Sequence, residues 1–224
     1  APTGNNHGPV EVFDTFHLRF ADGTSYHQFG TTCYAWVHQT RELQEQTLKT
    51  LADDERFIGG VVSAASLIIE TYRNGKKVVA AGNGGSAADA QHLVTELVGR
   101  FLRNRPPLNA EALTVNSSIM TAVANDFGYD EVFSRQLEAE GDREDLFIAI
   151  STSGNSPSII NALIKARQLG ITAIGLTGGA GGKMPSHCSA LICVPTDETP
   201  RVQEMHIMVI HIICQLVEKG LFPL

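Results

Sequence analysis

Short apolar runs alternate with longer amphipathic stretches along most of the chain after residue 41. Five of these runs have the length of strands and are bounded by Gly, Ser, Asp or Pro, which commonly end strands. They span residues 78–81, 112–115, 146–150, 172–176 and 190–194. Because segments of helical periodicity separate them, the pattern predicts the α/β class, with a five-stranded parallel sheet flanked by helices.

Two segments outside this region are also predicted to be helical. Apolar residues recur at helical spacing over residues 43–62, where Gly59-Gly60 predicts an interruption. The last segment, residues 201–219, follows Thr199-Pro200, which is typical of a helix start. Its apolar residues lie on several sides, so we expect burial against another element or another subunit.

The first part of the chain has a different texture. Residues 1–40 mix polar and aromatic side chains, and the alternation over residues 16–20 before Asp22-Gly23 is compatible with a short hairpin. We therefore expect an N-terminal extension at 1–40, to which no role is assigned, and a single layered domain at 41–224.

Length and charge limit the function classes. A chain of 224 residues fits one sizeable domain. With 17 Lys and Arg against 24 Asp and Glu, the net charge of -7 offers no basic field for nucleic acid. The apolar runs are too short to cross a membrane. Four cysteines without a CxxC pair favour buried free thiols and a cytoplasmic location.

Two loops that follow predicted strands have compositions suited to binding an anion. The glycine loop, Gly82-Asn83-Gly84-Gly85-Ser86, allows positive φ and close backbone approach, and Ser86 with Asp89 has the spacing of a helix cap. The hydroxyl loop, Ser151-Thr152-Ser153-Gly154-Asn155-Ser156-Pro157, offers hydroxyls and backbone amides at a helix N-terminus, which can surround a phosphate.

Either loop alone would also fit an ordinary turn from strand to helix. Two such loops at equivalent places in one parallel sheet favour a shared binding site beyond the carboxyl ends of the strands. Neither loop matches the P-loop pattern or the dinucleotide fingerprint. We therefore expect a small phosphorylated substrate rather than a nucleotide cofactor.

Imidazole and carboxylate side chains form a second set of candidates. His92 and Glu96 are four residues apart on the predicted helix, so they project from one face and can meet one ion or substrate. The final helix adds Gln203, His206 and His211 in an apolar stretch, where buried polar groups need partners. Spacing alone favours His206 as the partner of Gln203, and each histidine also fits a core position satisfied by a hydrogen bond.

Several motifs in order resemble one known family. GNGGSAADAQH, ELVGRF, ANDFGYDEVFSRQ, ISTSGNS and RVQEMH followed by His211 resemble the sedoheptulose-7-phosphate isomerases, also called phosphoheptose isomerases, of the sugar isomerase (SIS) fold. The resemblance covers roughly residues 42–222. It implies a flavodoxin-like five-stranded parallel sheet, a homotetramer with active sites between subunits, and entry into ADP-heptose and lipopolysaccharide core synthesis.

The resemblance also implies roles for individual residues. The phosphate would be held by Ser151, Thr152, Ser153 and Ser156. The sugar would be contacted by Asn83, Gly84, Gly85, Ser86, Glu96, Asn125, Asp126 and Gln203. One zinc ion per subunit would be bound by His92, Glu96, Gln203 and His211, which replaces the preference for His206; whether Gln203 binds metal or sugar, and what His206 does, stay open.

The implied reaction converts sedoheptulose 7-phosphate into D-glycero-D-manno-heptose 7-phosphate through an enediol. Glu96 is the best candidate for the base and His211 for the opposing acid–base role. A zinc ion would polarise the carbonyl. Two alternatives share the loops: a non-catalytic relative of the replication-initiator-associating type and a sugar-phosphate sensor. The presence of Glu96 and His211 favours the enzyme over both.

Overall fold

The computed structural model describes residues 10–13, 17–20 and 45–223. The chain divides into two compact units, Ala1–Lys49 and Thr50–Leu224. In the first unit, β1 (Val10–Phe13) pairs antiparallel with β2 (His17–Phe20). The strand β2 ends at Phe20, before the turn expected at Asp22-Gly23, and that turn lies outside the described residues.

The second unit contains a parallel sheet of five strands in the order β4-β3-β5-β6-β7. This confirms the predicted α/β class and the predicted parallel sheet. The strands are β3 (Val78–Gly82), β4 (Ala110–Ala112), β5 (Leu146–Ile150), β6 (Thr172–Gly178) and β7 (Ala190–Val194).

The placement of the second predicted strand was wrong by about two residues. The pairing with β3 uses Ala110–Ala112, whereas residues 112–115 were expected. The Asn116 side chain accepts a hydrogen bond from the Ile119 N–H, which starts the next helix. The chain must therefore turn over residues 113–115 instead of continuing as a strand.

Helices fill the connections between the strands. The first, α1, covers residues 45–52. The others are α2 (Glu55–Arg73), α3 (Gly85–Val98), α4 (Ser117–Phe127), α5 (Val132–Glu140), α6 (Pro157–Leu169) and α7 (Thr199–Leu221). Short 3-10 turns lie at Tyr129–Glu131 and Met184–Ser186.

The interruption expected at Gly59-Gly60 was also wrong. The break falls earlier, where the Asp54 side chain accepts hydrogen bonds from Arg56 N and Phe57 N and caps α2. Both glycines lie inside that helix, and a Cβ on Gly60 would lie 2.9 Å from the Leu191 carbonyl oxygen. Glycine here serves the close approach of α2 to β7.

Alternate residues of the strands enter two hydrophobic cores on opposite faces of the sheet. Val78 and Ala80 pack with residues of α2, α3 and α7, whereas Val79 and Ala81 pack with residues of α5 and α6. The helix α7 is buried along several sides, as its composition predicted. Cys188, Cys193 and Cys214 carry free thiols, and Cys33 lies outside the described residues. Among the described helices, none has the length and apolarity needed to cross a bilayer.

Candidate active site

The glycine loop and the hydroxyl loop leave the sheet side by side, because Gly82 at the end of β3 pairs with Ile150 at the end of β5. They enclose a cavity of about 140 Å³. Its lining is mostly small and polar and consists of Asn83, Ser86, Ile150, Ser151, Thr152, Ser153 and Ser156. Because none of these is Lys or Arg, an anion here would be held by hydroxyl and backbone N–H donors.

The hydroxyl loop is braced by backbone rather than by side chains. Gly154 has a φ of +64°, and a Cβ at this position would overlap the backbone at Gly181. A Cβ on Gly182 would lie 2.6 Å from the Ser153 carbonyl oxygen. The Ser156 side chain precedes α6 but makes no cap hydrogen bond to it. The loop is therefore fixed in position while the Ser156 hydroxyl is left for other partners.

Asn83 joins the two loops through its side-chain amide. Its Nδ2 donates to Ser156 Oγ at 2.8 Å and to Ser158 Oγ at 3.0 Å. Its Oδ1 accepts a hydrogen bond of 2.8 Å from the Tyr129 hydroxyl. Asn83 therefore acts as a cross-link between the loops in addition to lining the cavity.

The helix cap expected from Ser86 and Asp89 does not form. Gly84 occupies the N-cap position of α3, where no side chain makes a cap hydrogen bond, and Ser86 lies within the first turn. Asp89 Oδ2 is buried without a hydrogen-bond partner among the described residues. Burial raises the pKa of Asp89 to about 6, an effect that the nearby His92 opposes. The first turn of α3 therefore leaves its backbone N–H groups free of side-chain caps.

Two helices bring the predicted acid–base residues together. His92 and Glu96 on α3 meet His211 on α7: His92 Nε2 lies 3.0 Å from His211 Nε2 and 3.3 Å from Glu96 Oε1. One ligand atom from each of the three residues lies within 4.8 Å of the other two. The His211 ring also lies 5.5 Å from the Phe101 ring, centroid to centroid. The helical spacing of His92 and Glu96 thus gives the shared face that the sequence predicted.

These three residues fit a divalent metal. A tetrahedral zinc ion with nitrogen and oxygen ligands at about 2.0–2.2 Å separates those ligand atoms by roughly 3.3–3.6 Å. The distances of 3.0 and 3.3 Å from His92 Nε2 require only a small adjustment to reach that spacing. Two imidazoles and a carboxylate are also ligands that zinc accepts.

Gln203 lies against the beginning of α3. A Cβ on Gly85 would overlap its Nε2 and would lie 2.8 Å from its Cδ, so a side chain at position 85 would force the Gln203 amide to move. Gln203 and His211 are both half-buried residues of α7. The Gln203 amide therefore meets the glycine loop, while His211 meets His92.

His206 faces away from this cluster. It is completely buried, and its Nε2 lies 3.2 Å from the carbonyl oxygen of Thr177 on β6. Burial lowers the pKa of His206 to about 4, despite the opposing effect of this backbone contact. The pairing of His206 with Gln203, which spacing favoured, is wrong. His206 is instead a core histidine with a backbone hydrogen-bond contact, which was the alternative interpretation.

Asn125 and Asp126 lie exposed near the end of α4, where Asn125 Nδ2 donates to Asp126 Oδ1 at 2.7 Å. They are not among the residues that line the cavity. The nearest described link between this segment and the cavity is the hydrogen bond from Tyr129 to Asn83. Tyr129 was not a candidate from the sequence, although it stands in the quoted motif DFGYD.

A buried ion pair that the sequence analysis missed joins α3 to α7. Arg105 Nε lies 3.3 Å from Glu218 Oε1, and both side chains are almost fully buried. The Arg105 guanidinium also donates to the carbonyl oxygens of Glu96 and Leu97 at 2.6 Å. Glu218 accepts backbone N–H bonds from Phe101, Leu102 and Arg103. We call this set the Arg105–Glu218 clamp.

Comparison with known families and proteins shows which proteins this chain resembles. Residues 35–178 match the SIS domain family. A phosphoheptose isomerase of Aneurinibacillus thermoaerophilus is 54% identical over 169 residues, which are 75% of this chain and 85% of that protein.

Two solved structures are similar to most of this chain. A phosphoheptose isomerase from Neisseria gonorrhoeae superposes with a TM-score of 0.79 at 37% identity, covering 84% of this chain and all of that one. A phosphoheptose isomerase from Francisella tularensis gives a TM-score of 0.81 at 32% identity with the same coverage.

Proposed function

The chain belongs to the SIS domain family, among its phosphoheptose isomerases, and we propose that Glu96 and His211 are the acid–base pair of its reaction. As a ketose–aldose isomerase, it interconverts sedoheptulose 7-phosphate and D-glycero-D-manno-heptose 7-phosphate. The observation that carries the residue assignment is the meeting of α3 and α7, with His92 Nε2 at 3.0 Å from His211 Nε2 and 3.3 Å from Glu96 Oε1.

The substrate needs two binding regions at a fixed separation. Its phosphate would occupy the cavity at the hydroxyl loop, and its carbonyl end would reach the cluster on α3 and α7. Ser86 and His92 are six residues apart on α3, which is about 9 Å along the axis of a helix. That separation is comparable to the length of an extended seven-carbon chain. It supports assigning Ser151, Thr152, Ser153 and Ser156 to the phosphate.

Proton transfer follows from this arrangement. In the direction from ketose to aldose, Glu96 takes a proton from C1 to give the enediol and returns a proton to C2. His211 moves the proton between O1 and O2, so that the carbonyl shifts from C2 to C1. No external oxidant or reductant is needed, because C1 is oxidised as C2 is reduced. Positioned acid–base groups of this kind typically contribute 10²- to 10⁴-fold in rate.

We assign the metal site to His92, Glu96, Gln203 and His211, with zinc as the metal. The three ligand atoms within 4.8 Å of one another support His92, Glu96 and His211. Gln203, whose amide lies against Gly85, is assigned as the fourth ligand from the family resemblance alone. When bound, zinc would act as a Lewis acid that polarises the carbonyl. Because Glu96 would serve both as ligand and as base, we infer that it uses its second oxygen, or leaves the metal, as substrate binds.

Three further parts of the proposal come from the family resemblance. Asn83, Gly84, Gly85, Asn125 and Asp126 would contact the sugar. The protein would act as a homotetramer in the cytoplasm, in the synthesis of ADP-heptose for lipopolysaccharide. Ile58 and Val62 on α2 are about half exposed, at 47% and 53%, and self-association would cover such apolar side chains.

The test is turnover of sedoheptulose 7-phosphate followed by NMR in D₂O. The wild-type protein should form the aldose with deuterium at C2. Glu96→Gln and His211→Asn should lose at least about 100-fold in kcat, whereas Glu70→Gln, at an exposed position on α2, should keep it. Near-native turnover by Glu96→Gln would disprove the assignment of the base.

The metal is tested in the same assay. Chelator should abolish turnover and zinc should restore it. Turnover that is indifferent to chelator would keep the isomerase and return His92 and Gln203 to other roles. Binding of sedoheptulose 7-phosphate without turnover, by folded protein supplied with zinc, would support the sensor alternative instead.

A further inference from the structure

The Asn83 amide is held from both ends. Its Oδ1 accepts from the Tyr129 hydroxyl at 2.8 Å, and its Nδ2 donates to Ser156 Oγ at 2.8 Å and Ser158 Oγ at 3.0 Å. An asparagine amide has one oxygen that accepts and one nitrogen that donates two hydrogens. A phenol that donates to the oxygen therefore fixes the nitrogen toward the two serines.

This orientation decides what the Ser156 hydroxyl can do. A hydroxyl that accepts a hydrogen bond from Asn83 keeps its own hydrogen for another acceptor, which can be a ligand or Ser158 Oγ at 3.3 Å. With the amide reversed, Asn83 Oδ1 would draw the Ser156 hydrogen inward. The oxygens of a phosphate monoester are mainly acceptors at neutral pH, because the dianion predominates. The cavity that Ser156 lines contains no cationic side chain. Phosphate binding here therefore depends on hydroxyls that act as donors alongside the backbone N–H groups.

We propose that Tyr129 is a positioning residue for the phosphate site: its hydroxyl orients the Asn83 amide so that Ser156 donates to the substrate phosphate. The inference deepens the proposed function and rests on its assignment of the phosphate to the hydroxyl loop. It adds a residue from a third segment, outside both loops, to the machinery that binds the substrate.

The 3-10 turn that carries Tyr129 is itself anchored to α6. Asn161 Nδ2 donates to the Asp130 carbonyl oxygen at 3.2 Å and to Glu131 Oε1 at 2.9 Å. The preceding residue, Gly128, has a φ of +92°, which lets the chain turn sharply out of α4. Tyr129 is 51% exposed. Its position is thus set by the hydrogen bonds that anchor the turn and by the conformation of Gly128, rather than by burial of its ring.

The experiment compares Tyr129→Phe with Tyr72→Phe. Both changes remove one phenolic oxygen, but the Tyr72 hydroxyl is buried without a hydrogen-bond partner among the described residues. Tyr129→Phe should raise KM for sedoheptulose 7-phosphate, and the inhibition constant of inorganic phosphate, by roughly three- to tenfold. Its kcat should stay within about twofold of wild type, and Tyr72→Phe should leave all three values unchanged.

A double-variant cycle distinguishes an effect of Tyr129 through Ser156 from a contact that Tyr129 makes with the phosphate independently of Ser156. If Tyr129 acts through Ser156, adding Tyr129→Phe to Ser156→Ala should weaken phosphate binding little further. Additive losses, an unchanged KM in Tyr129→Phe, or a fall in kcat without a change in KM would each overturn the proposal. Binding of inorganic phosphate, measured directly by calorimetry, tests the inference even if the proposed acid–base roles of Glu96 and His211 prove wrong.

Discussion

Replacement of Glu218 by glutamine should destabilise the protein severely, although the two side chains have nearly the same shape. Glu218 is 2% exposed and accepts hydrogen bonds from three consecutive backbone N–H groups at 3.0–3.2 Å. It also pairs with Arg105 at 3.3 Å. Burial alone would raise the pKa of Glu218, but these N–H groups and the guanidinium together lower it below 4.5. The carboxylate is therefore bound as an anion.

The magnitude follows from what the variant leaves behind. In Glu218→Gln, the buried Arg105 guanidinium loses its counter-ion, and one end of the new amide places N–H donors against N–H donors. Removing one partner from a buried ion pair costs about 3–5 kcal/mol. We expect a loss of about 3 kcal/mol at pH 7, because Arg105 keeps its bonds to the Glu96 and Leu97 carbonyl oxygens.

The assay is urea unfolding followed by far-UV circular dichroism at one protein concentration for all samples. The matched control is Glu70→Gln on the exposed side of α2, which should change stability by less than about 0.5 kcal/mol. Because the pKa of Glu218 is lowered in the folded state, its stabilisation is present above pH 4.5 and is lost as pH falls below that value. A loss under about 1 kcal/mol at pH 7, or a difference that persists unchanged at pH 3, would refute the reasoning.

Three further predictions concern the same two helices. Arg105→Lys should lower kcat by about tenfold or more while KM changes little. The reason is that the Arg105–Glu218 clamp holds the Glu96 backbone beside α7 but does not contact the phosphate loops. Steady-state kinetics in which only KM rose would contradict this. The pKa of His206 is about 4 in the folded protein, so the stability that its neutral imidazole contributes is complete above pH 6.5 and declines as pH falls. In urea titrations, the wild type should therefore lose about 2 kcal/mol of stability relative to His206→Leu between pH 7 and pH 5. An equal pH dependence of the two proteins would count against a buried neutral imidazole. The pKa of Asp89 is raised from 3.8 to about 6, so its ionisation lowers stability progressively as pH rises from about 4 to 6, and the loss is complete above pH 6. Asp89→Asn should therefore raise the melting temperature at pH 7 but not at pH 4. A lower melting temperature at pH 7 would show that the charge has a partner.

The parts of the fold that follow from local pattern could be predicted from the sequence. The strands at 146–150 and 190–194 were located exactly, because a buried parallel strand has a short apolar run with polar or glycine ends. The pairing of His92 with Glu96 also follows from local geometry, since residues four apart share one face of a helix. These predictions needed no knowledge of distant residues.

The errors have a common physical cause in contacts between distant segments. Gly59-Gly60 carries a helix-breaking composition, yet the cost of glycine there is offset by the close packing of Gly60 on Leu191. The spacing argument chose His206 because it counted residues along one helix. In the structure His206 faces β6, and His211 faces α3, where it meets His92.

The site residues that were missed lack any local signature. Arg105 and Glu218 are 113 residues apart in the chain, and each alone reads as an ordinary surface charge. Tyr129 is 46 residues from Asn83, and nothing in its neighbourhood shows that its hydroxyl meets another loop. Only the family resemblance indicated that the segments around Tyr129 and just before Arg105 belong near the candidate active site.

The backbone contacts around Gly154 limit how the substrate range of this protein can be altered by substitution. A side chain at Gly154 or Gly182 would push the hydroxyl loop away from the backbone at residues 181–182, so main chain packed on main chain sets the position of this loop. Substitution at these glycines cannot move the loop gradually, because even a Cβ would meet backbone atoms. If the phosphate is bound at this loop as proposed, variants with a changed substrate range should keep the phosphate group and differ in the sugar, which would be accommodated by residues of α3 and α7.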